Sequence, residues 1–272
     1  MRDEREHACQ RGRGKGLERD TNMIPALAAG LVLVLAFIFS MLGLGGSMLY
    51  VPVFHWLGYD FKSVAIPTGL LLNGIAALSA AIYYLRARMV DIKGAIPLII
   101  SSFIGAPVGA YFTRLVPTRI LLEAFALAMI FAGGRMVMVS RRPDKEAKLS
   151  PGLRIGLMGV GGFFIGFIAG LLGVGGGFLF VPMMMAMGYK TKEAAATSAF
   201  VVIFSSFSGF AGHLAEGHYD WPLMAATTLA AIIGGQIGAR IMNEKMKPSW
   251  IKQMFAILLL GVAVNLLWKV LA

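Results

Sequence analysis

Cysteine is nearly absent: the 272 residues hold one, Cys9, in a polar stretch ahead of the first apolar run. Disulfides, and a thiol relay within the protein, are thereby excluded. Charge is scarce too, at 14% of residues, where a soluble globular domain carries about a quarter. Acid is the rarer sign, 14 Asp and Glu against 25 Lys and Arg, for a formal net charge of +11. The basic residues fall between apolar runs, where lysine and arginine hold loops on the cytoplasmic side of a membrane. They do not gather on a polar domain, so nucleic acid is not an expected partner. Of the four histidines, His213 and His218 lack further ligands at metal-site spacing. The chain has no G-x-x-x-x-G-K-[ST] loop, paired catalytic carboxylates or triad. The expectation is a protein that is not an enzyme, with no cofactor and no metal, drawing energy from a gradient or a separate protein.

What is present is hydrophobic, 57% of the chain. Several runs reach or approach ~18–20 apolar positions, enough to cross roughly 30 Å of hydrocarbon as helix. The fold class is therefore an all-α polytopic membrane protein. Residues 1–22 read as a polar, disordered leader, and either Met1 or Met23 could start translation. A first membrane repeat is expected over 23–140, a basic polar linker over 141–150 and a second repeat over 151–272. Each repeat holds about four membrane helices. If the short apolar segments merely complete the first helix of each repeat, the chain crosses about eight times. Leader and linker then both face the cytoplasm. If each short segment instead returns as a hairpin, the sides change; parallel and inverted arrangements both stay open.

The repeat is anchored by two near-copies, 130 positions apart. One is Gly43-Leu44-Gly45-Gly46-Ser47, running on to Pro52. The other is Gly173-Val174-Gly175-Gly176-Gly177, running on to Pro182. Gly58-Tyr59 and Gly188-Tyr189 continue the match, and Gly105 to Ala110 pairs with Gly234 to Ala239 one residue out of step. The small-residue spacing in that last pair predicts close helix contact in lipid. Gly43, Pro52, Gly173 and Pro182 are read as structural breaks, so that the first helix of each repeat is broken at its glycine motif. Broken helix in hydrocarbon leaves amides that protein, water or ligand must satisfy. The segments that follow begin with free N–H groups at the positive end of a helix dipole, a setting for an anion.

Candidate binding residues follow. Gly45, Gly46, Ser47, Gly175, Gly176 and Gly177 would supply amides, and Thr68, Thr197 and Ser198 hydroxyls. Asn73 and Gln236 would add amide side chains, which need partners in lipid. His55, His213, Glu123 and Glu193 lie near run ends, where an interface role competes with proton coupling.

The duplicated G-x-G-G-[GS]-x-x-x-x-P pattern, the Gly-Tyr turns and Ala194-Ala195-Ala196-Thr197-Ser198 resemble the TauE/SafE family of small bacterial membrane transporters, described as sulfite exporters. The resemblance covers about residues 24–271. It implies a multi-pass permease of the bacterial inner membrane, built from duplicated units and moving sulfite or organosulfonates. Ser47 stands where the second copy has Gly177, and Pro67 where it has Thr197, a departure expected to make the halves unequal. The expected mechanism is secondary transport by alternating access, the substrate lying between the halves. Rival readings are a small-anion channel and a non-transporting membrane scaffold or sensor. Expected partners are a small anion, membrane lipid, a second copy in a homodimer, and a proton or other coupling ion.

Overall fold

The computed structural model describes residues 26–113, 115–140, 150–214 and 220–271; the leader with Cys9 and most of the linker lie outside them. Among the described residues there is no strand. Ten α-helices follow one another: α1 Ala26–Met41, α2 Ser47–Trp56, α3 Ile66–Arg86, α4 Ile92–Thr113, α5 Thr118–Ser140, α6 Pro151–Leu172, α7 Gly177–Ala186, α8 Thr191–His213, α9 Trp221–Lys245 and α10 Pro248–Leu271. A π-helical turn, Phe61–Ala65, leads directly into α3. Six of these are long and apolar enough to cross a membrane: α3 with its π-turn, α4, α5, α6, α8 and α9.

Local chemistry sets the helix starts. Asp60 Oδ1 accepts from the N–H groups of Lys62 at 3.1 Å and Ser63 at 2.7 Å, and Asp220 Oδ1 accepts from Leu223 N–H at 3.1 Å. Those are side-chain caps on otherwise orphan donors. The Ser63 hydroxyl and N–H bonds, with the lesser pull of Lys62 and His55, hold the Asp60 carboxyl below its usual range. Pro67, Pro151 and Pro222 occupy first-turn positions, where a missing N–H costs nothing.

Helices α3 and α8 form the centre: 78% and 72% of their apolar windows are buried, against 39% for α4 and for α6. The outer helices turn Ile100, Phe103, Phe164 and Leu229 outward, the pattern of helices that face lipid. Small residues let the backbones touch. Gly162, Gly166 and Gly170 of α6 lie against Leu98, Ser102 and Ala106 of α4, while Gly105 and Gly109 of α4 meet the Phe163 and Phe167 carbonyls. Gly234 and Gly238 of α9 meet the Leu33 and Phe37 carbonyls of α1 in the same way. A Cβ at any of these glycines except Gly162, which meets the Ser101 hydroxyl, would enter a neighbour's backbone, which is the contact the small-residue spacing predicts.

These contacts also fix direction. Residues rise together along α4 and α6, and along α1 and α9, so each of those pairs is parallel. Helices α3 and α8 are antiparallel: Asn73 meets Ser206, Leu70 meets Gly209, and Asp91 beyond the end of α3 meets Thr197 near the start of α8. At α6 the chain turns back. Gly161 of α6 faces Met183 of α7, with a Cβ at 161 only 2.6 Å from the Met183 sulfur. The Arg154 guanidinium sits 4.2 Å from the centre of the Tyr189 ring. The start of α6 and the end of α7 therefore share one face of the molecule, and the pair is a hairpin. Helix α1 likewise starts on the face to which Tyr59, after α2, returns. The short segments do not complete the preceding helix as the simpler sequence reading had it.

Of the two readings left open by the sequence, this is the hairpin one, and in it α1 and α6 begin on opposite faces. The Tyr189 face carries Arg86, Arg88, Lys93, Arg154, Lys190, Lys192, Lys245 and Lys247; the Tyr59 face carries Lys62 and Arg119. Among the described residues that imbalance is the one expected if the Tyr189 face is cytoplasmic. In a Cys9→Ser background, Arg86→Cys should react with an impermeant maleimide only after the inner membrane is opened. Leu115→Cys, at the exposed α4–α5 turn, should react in intact spheroplasts.

Candidate functional site

Both glycine loops are built on left-handed backbone. Gly43 and Gly173, at φ 72° and 73°, end α1 and α6, and the next residues, Leu44 and Val174, donate back to Phe39 O at 2.9 Å and Ala169 O at 3.0 Å. Gly45 and Gly46 (φ 83° and 126°) and Gly175 and Gly176 (φ 65° and 79°) then reverse the chain, a path that side chains with a Cβ follow only under strain. Helices α2 and α7 open directly from Gly46 and Gly176, and neither has a side-chain cap of its own.

The two loops meet. A Cβ at Gly177 would lie 2.8 Å from Leu44 Cα, and Cβ atoms at Gly45 and Gly175 would both collide with the Asn73 amide. Asn73, fully buried at the middle of α3, is wedged between them. Its Oδ1 accepts from Ser47 N–H at 2.8 Å, and its Nδ2 donates to Ser206 Oγ at 2.7 Å. One orphan amide of α2 is thus held by a side chain from the neighbouring helix. From α8, Ser205 Oγ donates to Gly175 O at 2.8 Å and Ser198 Oγ to Gly43 O at 3.1 Å. All four of these polar residues, Asn73, Ser198, Ser205 and Ser206, are fully buried.

Sequence reasoning missed Ser205 and Ser206. Their signal was available: Ser205 lies two turns beyond Ser198, on the same face of α8. Tyr50 was missed as well. Its hydroxyl lies against Gly46, is fully buried and has no hydrogen-bond partner, as do Ser47 Oγ and Thr68 Oγ1.

Other expected residues are placed elsewhere. Thr197 Oγ1 accepts from Asp91 N–H at 3.0 Å and so pins the α3–α4 connection. Gln236 Nε2 donates to Ser79 O at 2.6 Å, about 9 Å along α3 from Asn73 at 1.5 Å per residue. Replacing Gln236 with Leu should therefore lower stability by about 1 kcal/mol and leave anion affinity unchanged, read from thermal unfolding and direct binding. Pro52 and Pro182 lie inside α2 and α7 and are buried. Glu123 pairs with Arg119 at 3.0 Å on an exposed surface, Glu193 is in the first turn of α8, and His55 is exposed. His213 is buried, its Nε2 3.2 Å from Gly170 O.

At the two ends of the α3–α8 pair the loops after α2 and α7 are tied down. Tyr189 OH donates to Asp91 Oδ2 at 2.8 Å. Burial, and then that carboxylate, hold the Tyr189 phenol well above the usual tyrosine range. On the other face burial and the nearby Asp220 charge raise Tyr59.

Against known sequences, the family described as "Sulfite exporter TauE/SafE" matches residues 27–266. The chain belongs to that family. The TauE/SafE chain is 30% identical over 259 residues to "Probable membrane transporter protein YunE" of Bacillus subtilis (strain 168), covering 85% of this chain and 92% of that one. It is 26% identical over 253 residues to "Probable membrane transporter protein y4hK" of Sinorhizobium fredii (strain NBRC 101917 / NGR234), covering 92% of this chain and 100% of that one. With YfcA of Escherichia coli (strain K12), another probable membrane transporter protein, it shares 23% over 231 residues. No solved structure matches. As a TauE/SafE member it is a multi-pass transporter of the bacterial inner membrane, with small anions as its general class of solute; its work is to move solute and not to make or break bonds.

Proposed function

We propose that this TauE/SafE protein carries small sulfur oxyanions, sulfite or organosulfonates, across the inner membrane by alternating access. The observation that carries this reading is the meeting of two helix N-termini, α2 and α7, at a fully buried centre, neither capped by a side chain of its own. Each offers backbone N–H groups and the positive end of a dipole, which attracts an anion without trapping it on a fixed cation. In this reading Gly45, Gly46, Ser47, Gly175, Gly176 and Gly177 hold the substrate. Thr68, Asn73 and Ser198 border it, whereas Thr197 and Gln236 keep the helices around it in place.

The chain is read as two inverted repeats, 23–140 and 151–272, joined by the 141–150 linker. Each opens with a helix that turns back at its glycine loop. Support comes from bonds of the first half that have counterparts about 127–130 residues on in the second. Ser79 Oγ donates to Ile232 O at 2.8 Å, and Ser208 Oγ to Phe103 O at 2.5 Å. Tyr84 OH donates to Ser40 O at 2.7 Å where His213 meets Gly170 O. Lys62 Nζ donates to Val116 O and Lys192 Nζ to Asn243 O, both at 2.9 Å. With three helices after each hairpin, α3–α5 and α8–α10, the second repeat enters from the opposite face, an architecture suited to opening one side while closing the other. The Tyr189–Asp91 bond would close the cytoplasmic end.

Purified protein in liposomes should show saturable counterflow of radiolabelled sulfite, blocked by the organosulfonate methanesulfonate. Electrical currents at channel-like rates without counterflow would replace the carrier with a channel.

A further inference from the structure

We infer that the Tyr50 hydroxyl is a direct donor to the transported anion and that the site admits monoanions while rejecting dianions. The inference rests on the transport reading above and deepens it. Tyr50 lies four residues after Gly46, and a helical side chain leans back over the turn before it. Its phenol is thereby laid on the opening of α2, against Gly46. A fully buried hydroxyl without a partner is costly. Others share its state, among them Ser47 Oγ at the start of α2 and Thr68 Oγ1 on α3. Two unspent hydroxyls at one helix N-terminus, those of Tyr50 and Ser47, make a donor set waiting for an acceptor.

The second loop lacks that set. Phe180 takes the place of Tyr50, with its ring 2.9 Å from a Cβ built at Gly176; Gly177 replaces Ser47, and Ser198, which replaces Thr68, is already spent on Gly43 O. The anion is therefore held off-centre, at the α2 side, and the α7 opening contributes backbone alone.

Charge selectivity follows from what surrounds the loops. Among the described residues, the nearest neighbours of Gly43, Gly45, Gly46, Gly173, Gly175, Gly176 and Gly177 are Ala, Asn, Tyr, Ile, Ser, Phe and Leu, all neutral. Attraction to neutral donors grows in proportion to the anion's charge. The cost of leaving water grows as the charge squared, so a dianion meets about four times the desolvation cost for twice the gain. A sulfonate or hydrogen sulfite suits this site, and sulfate does not.

The test uses the full chain in detergent and in liposomes, with methanesulfonate and sulfate as probes. In wild type, methanesulfonate should bind and compete with labelled sulfite, and sulfate should do neither at the same concentration. Tyr50→Phe should weaken methanesulfonate binding roughly tenfold, the loss of one hydrogen bond to a charged group. Its ligand-free thermal midpoint should hold or rise, since a buried unpaired hydroxyl has been removed. Equal competition by sulfate overturns the charge selectivity. Unchanged binding in Tyr50→Phe, or a lowered ligand-free midpoint with unchanged binding, overturns the role of Tyr50 and leaves the transport reading standing. Wild-type protein that binds none of these anions overturns both.

Discussion

Gly43→Ala should leave little folded transporter in the membrane. At φ 72° an alanine enters the left-handed region, which costs L-residues about 1–2 kcal/mol. Its Cβ would also run into the carbonyl, carbonyl carbon and Cα of Ala195. Those are backbone atoms of a central helix, with no flexible end to move aside, so overpacking adds a further cost of about 1–3 kcal/mol. Together these come to about 2–5 kcal/mol, a large share of a marginal stability of about 5–15 kcal/mol. The melting midpoint in detergent should drop by on the order of 10 °C, with most of the protein lost to aggregation on size exclusion. Gly30→Ala is the matched control: nothing lies within 4 Å of its built Cβ, and it should express and melt like the parent. If Gly43→Ala behaves like Gly30→Ala, the tight seat of the first loop on α8 is wrong.

Asn73→Asp should separate fold from function. The aspartate keeps the oxygen that accepts from Ser47 N–H, and a carboxylate at a helix N-terminus favours the helix. It loses the donor to Ser206, a bond worth about 0.6–1.7 kcal/mol in membrane proteins. Folding should survive at a further cost of about 2.5–3.5 kcal/mol for a carboxylate at membrane depth. Transport should fall at least a hundredfold, because a fixed negative charge now occupies the positive end of α2. Asn73→Leu behaves oppositely in one respect: it frees both Ser47 N–H and Ser206 and should cost about 1–3 kcal/mol of stability. An Asn73→Asp protein with full anion flux would remove the α2 opening from the substrate's path.

Much of this was legible in the sequence. The hydrophobic runs predicted a polytopic helical membrane protein, because membrane helices must satisfy their own backbone and so follow hydropathy closely. The loops could be located because Gly43 to Ser47 and Gly173 to Gly177 repeat in order. The glycine spacing at 105–109 and 234–238 predicted backbone contact, and the contact is there. Direction was not legible. Gly45 and Gly46 permit either a kink or a reversal, and only the packing of Gly161 on Met183 and Arg154 on Tyr189 shows which. Hydropathy is silent about side, so the paired parallel and antiparallel helices had to be seen.

The site was half legible for a related reason. Asn73 stood out because an amide in lipid needs partners, but those partners, Ser47 and Ser206, come from segments 26 and 133 residues away. Gln236 obeyed the same rule and found its partner on α3 instead. Tyr50 was overlooked because a tyrosine in an apolar segment reads as bulk; only its placement over Gly46 reveals the hydroxyl.

The closest helix partnerships give the chain one last property. From α2 onward, the most extensive contacts, α4 with α6, α5 with α10, α4 with α8, α3 with α8 and α3 with α9, all join the first half to the second. Neither half encloses a core by itself, so each is the other's mould. A chain cut within the 141–149 connection would yield two fragments that persist only as complements, and the protein is in effect a heterodimer written on one polypeptide.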